Sequence, residues 1–261
     1  MAEQAYLLNQ LKILTLNCQG LRDKSKCRDV FNNLKQKNHN VYFLQDTHFT
    51  PNEENQIQTL WGYKAYFNSY ASNSRGVAIL FNNNCEIEIH NQYKDDSGNF
   101  LILDVTIDSL QFLLINIYGP NTDVPELYSQ LLEQIEGAYS FQYIIIGGDF
   151  NLVLDQDLDT MNYKKENNTK SRQQVLNIMD ILNLIDVFRE NNPKLRRYSW
   201  RRRNPIKQSR LDFFLISETF LTLAPKIYFD NSYRSDHSPV VLCFKMNSKK
   251  AKVIGNLTIH Y

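Results

Sequence analysis

An aspartate stands directly before a histidine in Tyr233-Arg234-Ser235-Asp236-His237-Ser238-Pro239, just ahead of the apolar run Val240-Val241-Leu242-Cys243-Phe244. A carboxylate beside an imidazole can hold the ring in one tautomer and keep its charged form accessible near neutral pH. The dipeptide alone is common on protein surfaces, so its value comes from company. Asn17, Asp46, Tyr118, and Asp149 with Asn151 each end an apolar run, and Asp212 opens another. Polar residues repeated at the ends of apolar runs are the pattern of a site assembled from strand termini.

The most specific local stretch is Tyr143-Ile144-Ile145-Ile146-Gly147-Gly148-Asp149-Phe150-Asn151. Two glycines after a buried strand let the backbone turn and approach a ligand. On an extended segment Asp149 and Asn151 would share one side, and a carboxylate beside an amide can hold a water and a phosphate oxygen together. The competing reading is a plain strand-to-turn junction. Asp46, after Val41-Tyr42-Phe43-Leu44-Gln45, suits a hard divalent cation, which takes one or two carboxylates and keeps several waters; the alternative is a helix cap. Asn17 either lends a carbonyl to the same cation or turns the chain at Gly20, and Tyr118 offers a hydroxyl to a phosphate or simply packs. Asp212, among large apolar residues, is either paired, with Arg210 as a partner, or part of a site. The chain shows no nucleophilic Ser or Cys arrangement, P-loop, GxGxxG or HExxH. The chemistry that suits this set is metal-assisted attack of water on a phosphodiester.

Short β-branched and aromatic runs must position these residues. Strands are expected at 12–17, 41–46, 63–68, 76–81, 85–90, 99–107, 111–118, 143–147, 197–202, 209–216, 226–230 and 239–245. The 99–107 and 111–118 runs read as a hairpin. Helices are expected at 24–37, 52–60, 123–137 (Asp123 as N-cap, Gly137 as stop) and 170–184, the last with Val175, Ile178, Met179 and Leu182 inward. Alternating strands and helices with several hairpins predict an α/β protein of two packed sheets with helices outside, rather than one doubly wound sheet.

A chain of 261 residues, 43% of them hydrophobic, can bury such a core, and no apolar stretch approaches the roughly 20 residues of a membrane helix. The first residues lack the basic and apolar regions of a signal peptide. Cys18, Cys27, Cys85 and Cys243 are scattered without CxxC spacing, which disfavours a zinc site or a disulfide framework. Residues 194–210 carry eight Lys or Arg and no acid; taking those eight from 29 leaves 21 basic against 28 acidic residues, a net of about −7 elsewhere. Positive charge concentrated in one segment suits a polyanionic partner.

Taken in order, TLNCQGL (15–21), LQDTH (44–48), GVAIL (76–80), INIYGPN (115–121), GGDFN (147–151), YSWRRRNPIKQSRLDFFLIS (198–217) and SDHSPV (235–240) resemble the endonuclease/exonuclease/phosphatase superfamily of deoxyribonuclease I and apurinic/apyrimidinic (AP) endonucleases. The nearer resemblance is to the endonuclease domain of LINE-type (non-LTR) retrotransposons, over about Leu11 to Phe244. It implies a four-layer sandwich of two mixed sheets flanked by helices, and a Mg²⁺-dependent nick, with Mn²⁺ as a substitute, leaving 3′-hydroxyl and 5′-phosphate ends.

Carried over motif by motif, the resemblance makes Asp46 and Asn17 metal-side residues and Tyr118 a phosphate-side residue. Asp149 and Asn151 become the nucleophile- and phosphate-positioning pair, and Asp212 a supporting acid. Asp236 orients His237 or ligates metal beside it, and His237 contacts the scissile phosphate as base or charged stabiliser. One departure stands out: the superfamily usually has glutamate where this chain has Asp46, whose carboxylate sits roughly 1.5 Å further back on ordinary bond lengths.

The expected divisions are an N-terminal extension (1–10), the nuclease domain (11–246) and a C-terminal tail or start of a linker (247–261). Double-stranded DNA is the expected partner, with no membrane, and Arg201, Arg202, Arg203, Lys207 and Arg210 on or beside a hairpin as its contacts. Trp200 is expected to pack beneath that hairpin. A reverse transcriptase domain would be covalently linked in the full-length protein, which would act inside the cell in the nucleus. The alternatives are a cellular AP-site repair enzyme and a catalytically silent DNA-binding module weakened at Asp46. A phosphoinositide or sphingomyelin hydrolase fits the arginine-rich segment less well.

Overall fold

The computed structural model describes residues 10–135, 141–163 and 167–246. The expected tail 247–261, the helix stop at Gly137, and all of the expected N-terminal extension except Gln10 lie outside the described residues; Gln10 opens the first strand.

One six-stranded sheet contains β1 (Gln10–Asn17), β2 (Val41–Gln45), β3 (Ala65–Asn68), β4 (Val77–Phe81), β14 (Lys226–Phe229) and β15 (Val240–Lys245), in the order β14-β15-β1-β2-β4-β3. A second contains β5 (Ile87–Lys94), β6 (Phe100–Ile107), β7 (Leu110–Tyr118), β8 (Tyr143–Asp149), β10 (Leu184–Asp186) and β13 (Asp212–Ser217), in the order β10-β13-β8-β7-β6-β5. A small third sheet, β11-β12-β9, joins Trp200–Arg202, Lys207–Ser209 and Thr160–Met161.

Strand alternation explains the layers. Leu11, Ile13, Val41, Phe43, Val77, Ile79, Phe112, Leu114, Ile145, Phe214 and Leu242 face each other between the sheets. The opposite parity, Leu14, Leu16, Tyr42, Leu44, Ala78 and Leu80, packs under α1 (Lys24–Lys37) and α2 (Glu54–Trp61). On the other sheet Leu113, Ile115, Ile144 and Ile146 pack under α3 (Pro125–Gln134) and α5 (Thr169–Ile181). Helix, sheet, sheet, helix gives the four layers expected.

The row of residues facing between the sheets is apolar along most of each strand and turns polar at one end. Continuing the same parity leads to Thr15 and Asn17 on β1, Gln45 on β2, Asn116 and Tyr118 on β7, Asp149 on β8 and Asp212 on β13. The first polar tier is a buried amide lock between the sheets. Gln45 Nε2 donates to Thr15 Oγ1 (2.9 Å) and Asn116 Oδ1 (2.6 Å), while Asn116 Nδ2 donates to the Leu44 and Ala78 carbonyls (3.0 and 2.8 Å). Although Gln45 Oε1 has no partner, these paired amide donors fix one relative placement of the sheets, because any slip leaves a donor unpaired.

Several local expectations change. Asp123 does not cap α3, whose N-cap is Val124 with Pro125 behind it. Its carboxylate instead accepts from the Lys170 and Ser171 amides and the Ser171 hydroxyl, at the start of α5. Gly147 and Gly148 lie inside β8, where a side chain would collide with the Phe214 ring and the Ile117 carbonyl respectively. They admit neighbouring protein rather than a ligand. The 197–202 strand is only 200–202, and the 209–216 run divides into β12 and β13 with Arg210 and Leu211 between. The 170–184 helix ends at Ile181, because Asn183 takes a left-handed conformation (φ 48°) and 184–186 becomes edge strand β10. The 99–107/111–118 hairpin forms, with Asp108 and Ser109 both at positive φ.

At the far end of the first sheet, the buried His39 ring has no hydrogen-bond partner at either nitrogen. Burial first, then Lys12 and Lys37, lowers its pKa to about 4. The folded ring resists a proton that the unfolded chain takes up at the ordinary value of 6.5, so its contribution to stability holds above that pH and is lost as pH falls toward 4. Thermal melts of His39→Phe between pH 7 and 4 should therefore lose less Tm than wild type. Parallel curves would contradict this assignment.

Candidate active site

β7, β8 and β13 place Tyr118, Asp149 and Asp212 abreast, since Tyr118 pairs with Asp149 and Asp149 with Asp212 in strand register. From the facing sheet, Asn17 at the end of β1 donates through Nδ2 to Asp149 Oδ2 (2.8 Å), and its Oδ1 accepts from the Gln19 amide (2.9 Å). One hydrogen bond thus ties the two sheets together at the site.

His237 arrives on the loop before β15 and is 5% exposed. Its Nδ1 lies 2.7 Å from Asp212 Oδ2. The carboxylate that orients the ring is therefore Asp212, not the adjacent Asp236. Asp236 accepts from Trp200 Nε1 (2.9 Å) at the rim, with Oδ1 3.7 Å from His237 Nε2. Asp236 sits in a bend and faces the His237 Nε2 side, so a distant strand supplies the partner at Nδ1. Asp212 does not pair with Arg210. With Nδ1 engaged, Nε2 is directed at the cleft, 3.8 Å from Asp149 Oδ2.

Burial disfavours the imidazolium, but Asp212, Asp149 and Asp236 outweigh it and push the His237 pKa up to about 9. Asp149 is held above the usual carboxylate range, by burial first and then by Asp212. Tyr118 is likewise raised, by burial and then by Asp46 and Asp149, so it stays a neutral phenol; its hydroxyl lies between the Asp46 and Asn151 side chains.

Asp46 follows β2 in a left-handed conformation (φ 51°) and does not cap the next helix, where Thr50 and Glu53 form a capping box. Its Oδ1 accepts from the Arg75 amide (3.2 Å) and lies 3.0 Å from His48 Nε2. Asn151 also has positive φ (50°), so it does not share an extended face with Asp149. It reaches the same cleft through a turn, with its amide donating to Asp149 Oδ1 (2.9 Å) and Nδ2 to the Gly119 carbonyl (2.7 Å).

Asn17, Asp46, Tyr118, Asp149, Asn151 and His237 line one cleft of about 360 Å³. Asp212 stands behind His237, and Asp236 at the rim. Residues not assigned to the site from the sequence also contribute. Trp200 lines the cleft instead of packing under the hairpin, and Gln19 lines it while accepting from the Asp236 amide (3.1 Å). Buried Ser199 accepts from the Leu211 and Asp212 amides (both 3.0 Å). His48 had a readable signal, an imidazole two residues from Asp46; Ser199 had none.

The donor set fits a hard divalent cation. Asp46, Asn17 and Asp149 present oxygen atoms at the cleft, and none of the four cysteines, all free thiols, lines it. Asp149, Asp212 and His237 also form a cluster whose ligand atoms lie within 4.8 Å of one another, although Asp212 and His237 already engage each other. Asp46→Glu should retain metal-dependent phosphodiester cleavage, because the longer carboxylate reaches the same cleft. Loss of cleavage in a folded variant, with wild type active, would contradict a cation-side role for Asp46.

Arg201, Arg202 and Arg203 are exposed on the β11–β12 hairpin, and Lys207 Nζ lies 4.8 Å from the Tyr163 ring centroid. Arg210 is different. It is 1% exposed and holds Asp159 and Asp186, so it is not available to DNA. A basic residue beside a catalytic strand reads as a phosphate contact in sequence, but alternation turns this one into the core.

The family model described as endonuclease/exonuclease/phosphatase matches residues 14–237. The chain is 31% identical over 237 residues to an uncharacterized 149 kDa protein of transposon TX1 from Xenopus laevis; the match covers 89% of this chain but 18% of that protein. In structure it is similar to AP endonuclease LMAP from Leishmania major (TM-score 0.74, 17% identity, 91% of this chain and 88% of that one). It is similar also to the endonuclease domain of TRAS1, a telomere-specific non-LTR retrotransposon (TM-score 0.66, 17% identity, 91% and 99%). These likenesses carry the fold, and the family match spans strands and loops that supply every cleft residue from Asn17 to His237. The chain belongs to the endonuclease/exonuclease/phosphatase family of phosphodiester-hydrolysing enzymes.

Proposed function

We propose that this chain is the DNA-nicking endonuclease domain of a LINE-type retrotransposon protein, requiring Mg²⁺ and leaving a 3′-hydroxyl that primes reverse transcription. The observation that carries the reading is one cleft combining oxygen ligands with a fixed imidazole, beside an arginine-bearing hairpin. The transposon TX1 relative and the TRAS1 domain support it. The chain corresponds to under a fifth of the TX1 protein, so a linked reverse transcriptase domain and action in the nucleus belong to the same proposal.

Asp46 and Asn17, with Asp236 at the rim, would hold the cation, which supplies charge to offset the developing negative phosphate. Mn²⁺, another oxygen-seeking ion, would substitute. The chain's own groups do the rest. Asp149, made more basic by burial and Asp212, takes the proton of the attacking water. Asn151 and Tyr118 donate to phosphate oxygens. At neutral pH His237 is charged, so its Nε2–H donates to the phosphate as a cation rather than accepting a proton.

A cellular AP-site repair enzyme is the second reading, favoured by the likeness to LMAP. End chemistry and substrate choice separate the two. Nicked plasmid should serve DNA polymerase as a primer, and intact duplex should be cut at least as well as an AP-site duplex. Cleavage confined to AP sites would favour repair.

Arg201, Arg202 and Arg203 are proposed to contact DNA phosphates. Changing all three to alanine should weaken duplex binding and lower the slope of log affinity against log salt by about one for each phosphate no longer neutralised. An unchanged slope in titrations across salt would remove the hairpin from the DNA interface.

A further inference from the structure

Arg210, buried away from DNA, sits in a charged quartet. Its Nε and Nη2 hold both oxygens of Asp159 (2.7 and 2.8 Å), and Nη2 also reaches Asp186 Oδ2 (2.6 Å). Arg189 Nη2 adds a bond to Asp159 Oδ1 (2.6 Å). Asp159 is 0% exposed and Asp186 8%, and the guanidinium carbon lies 5.4 and 5.3 Å from the Phe188 and Phe213 ring centroids. Two cations and two anions cancel. A planar two-pronged donor is what this geometry uses, since the single nitrogen of an ammonium cannot occupy the separate Nε and Nη2 positions.

The quartet joins three parts of the fold. Asp159 ends α4 (Gln156–Asp159), and the next residue begins β9, which pairs with β12. Asp186 ends β10, which pairs with β13, and caps α6 (Val187–Asn191), the helix that carries Arg189. Arg210 lies between β12 and β13, and its amide donates to the Asp159 carbonyl (2.9 Å). The small sheet β9-β12-β11 belongs to neither large sheet, so this joint, together with the Ser199 and Trp200 contacts to Asp212 and Asp236, ties it to the strand carrying Asp212. Gln156, Thr160, Trp200, Ser209 and Leu211, which form one wall of the cleft, all ride on segments the joint ties down.

We infer that Arg210, with Asp159, Asp186 and Arg189, is a positioning group that fixes the hairpin and the Trp200 wall against the Asp212–His237 pair, and so governs engagement of long duplex DNA rather than bond cleavage. The inference rests on the proposed function for its substrate. Arg210→Lys keeps the charge and loses the fork. With a wall shifted by an ångström or so, KM for a duplex should rise about tenfold, while kcat, and cleavage of the small phosphodiester bis(p-nitrophenyl) phosphate, stay within about twofold. Amide hydrogen exchange at residues 199–209 should quicken by about tenfold.

Unchanged KM and unchanged exchange would overturn the inference. Equal loss on both substrates would also overturn it, because the quartet would then serve the catalytic strand. If Arg210→Lys shows no cooperative melt, Arg189→Gln, at the partly exposed edge, should give the same split at about threefold. A wild type that cuts neither substrate would defeat the proposed function, while the exchange measurement would still decide the joint.

Discussion

His237→Ala should lower the proposed DNA-nicking rate by about 10³-fold in a protein that remains folded. The side chain is almost wholly enclosed, its Nδ1 is fixed on Asp212, and Nε2 is left for the cleft. Alanine removes the only imidazole lining the cleft among the described residues, together with the charge that Asp212, Asp149 and Asp236 sustain to about pH 9. The variant also strands the Asp212 carboxylate, whose Oδ1 already lacks a partner. An unpaired buried acceptor costs roughly 1–3 kcal/mol, so Tm should fall modestly while the melt stays cooperative. Plasmid nicking and a thermal melt on the same preparation separate the two effects. Nicking within tenfold of wild type would remove His237 from the chemistry.

Asp149→Asn is expected to be as damaging, about 10³-fold or more, although it removes no heavy atom beyond an oxygen-for-nitrogen exchange. Both Asp149 oxygens accept hydrogen bonds, from Asn17 Nδ2 and from the Asn151 amide. An NH₂ in either place sets donor against donor. The substitution also removes a cleft carboxylate whose pKa burial and Asp212 raise, so the attacking water would lose its proposed proton acceptor. Single-turnover nicking measures this without interference from product release. A variant that retains a tenth of wild-type cleavage would move the base elsewhere.

Much of the architecture was legible because periodicity reports burial. The β1, β2, β4, β7 and β8 runs lie within a few residues of where their β-branched and aromatic content places them, and the 99–107/111–118 hairpin forms. The strand-end placement of Asn17, Tyr118 and Asp149 marks the polar end of the core. What sequence could not supply was partnership across the fold. Asp236 and Arg210 stand next to plausible partners in the chain, yet Asp236 holds Trp200 and Arg210 holds Asp159 and Asp186. Asp123 caps a helix that starts 46 residues later rather than the one beside it. Side-chain direction alternates along a strand, so adjacency in sequence is a poor guide to contact. The β9, α4 and α6 segments carry no readable signal because each is too short to show a period.

Incubation of the purified protein with supercoiled plasmid, in Mg²⁺ and then with excess EDTA, tests the central claim that this cleft hydrolyses DNA phosphodiesters with a bound divalent ion. Conversion to open circles in Mg²⁺, halted by EDTA, is the result the structure predicts. Folded protein that leaves the plasmid supercoiled with either Mg²⁺ or Mn²⁺, or that nicks it equally well in EDTA, would contradict it.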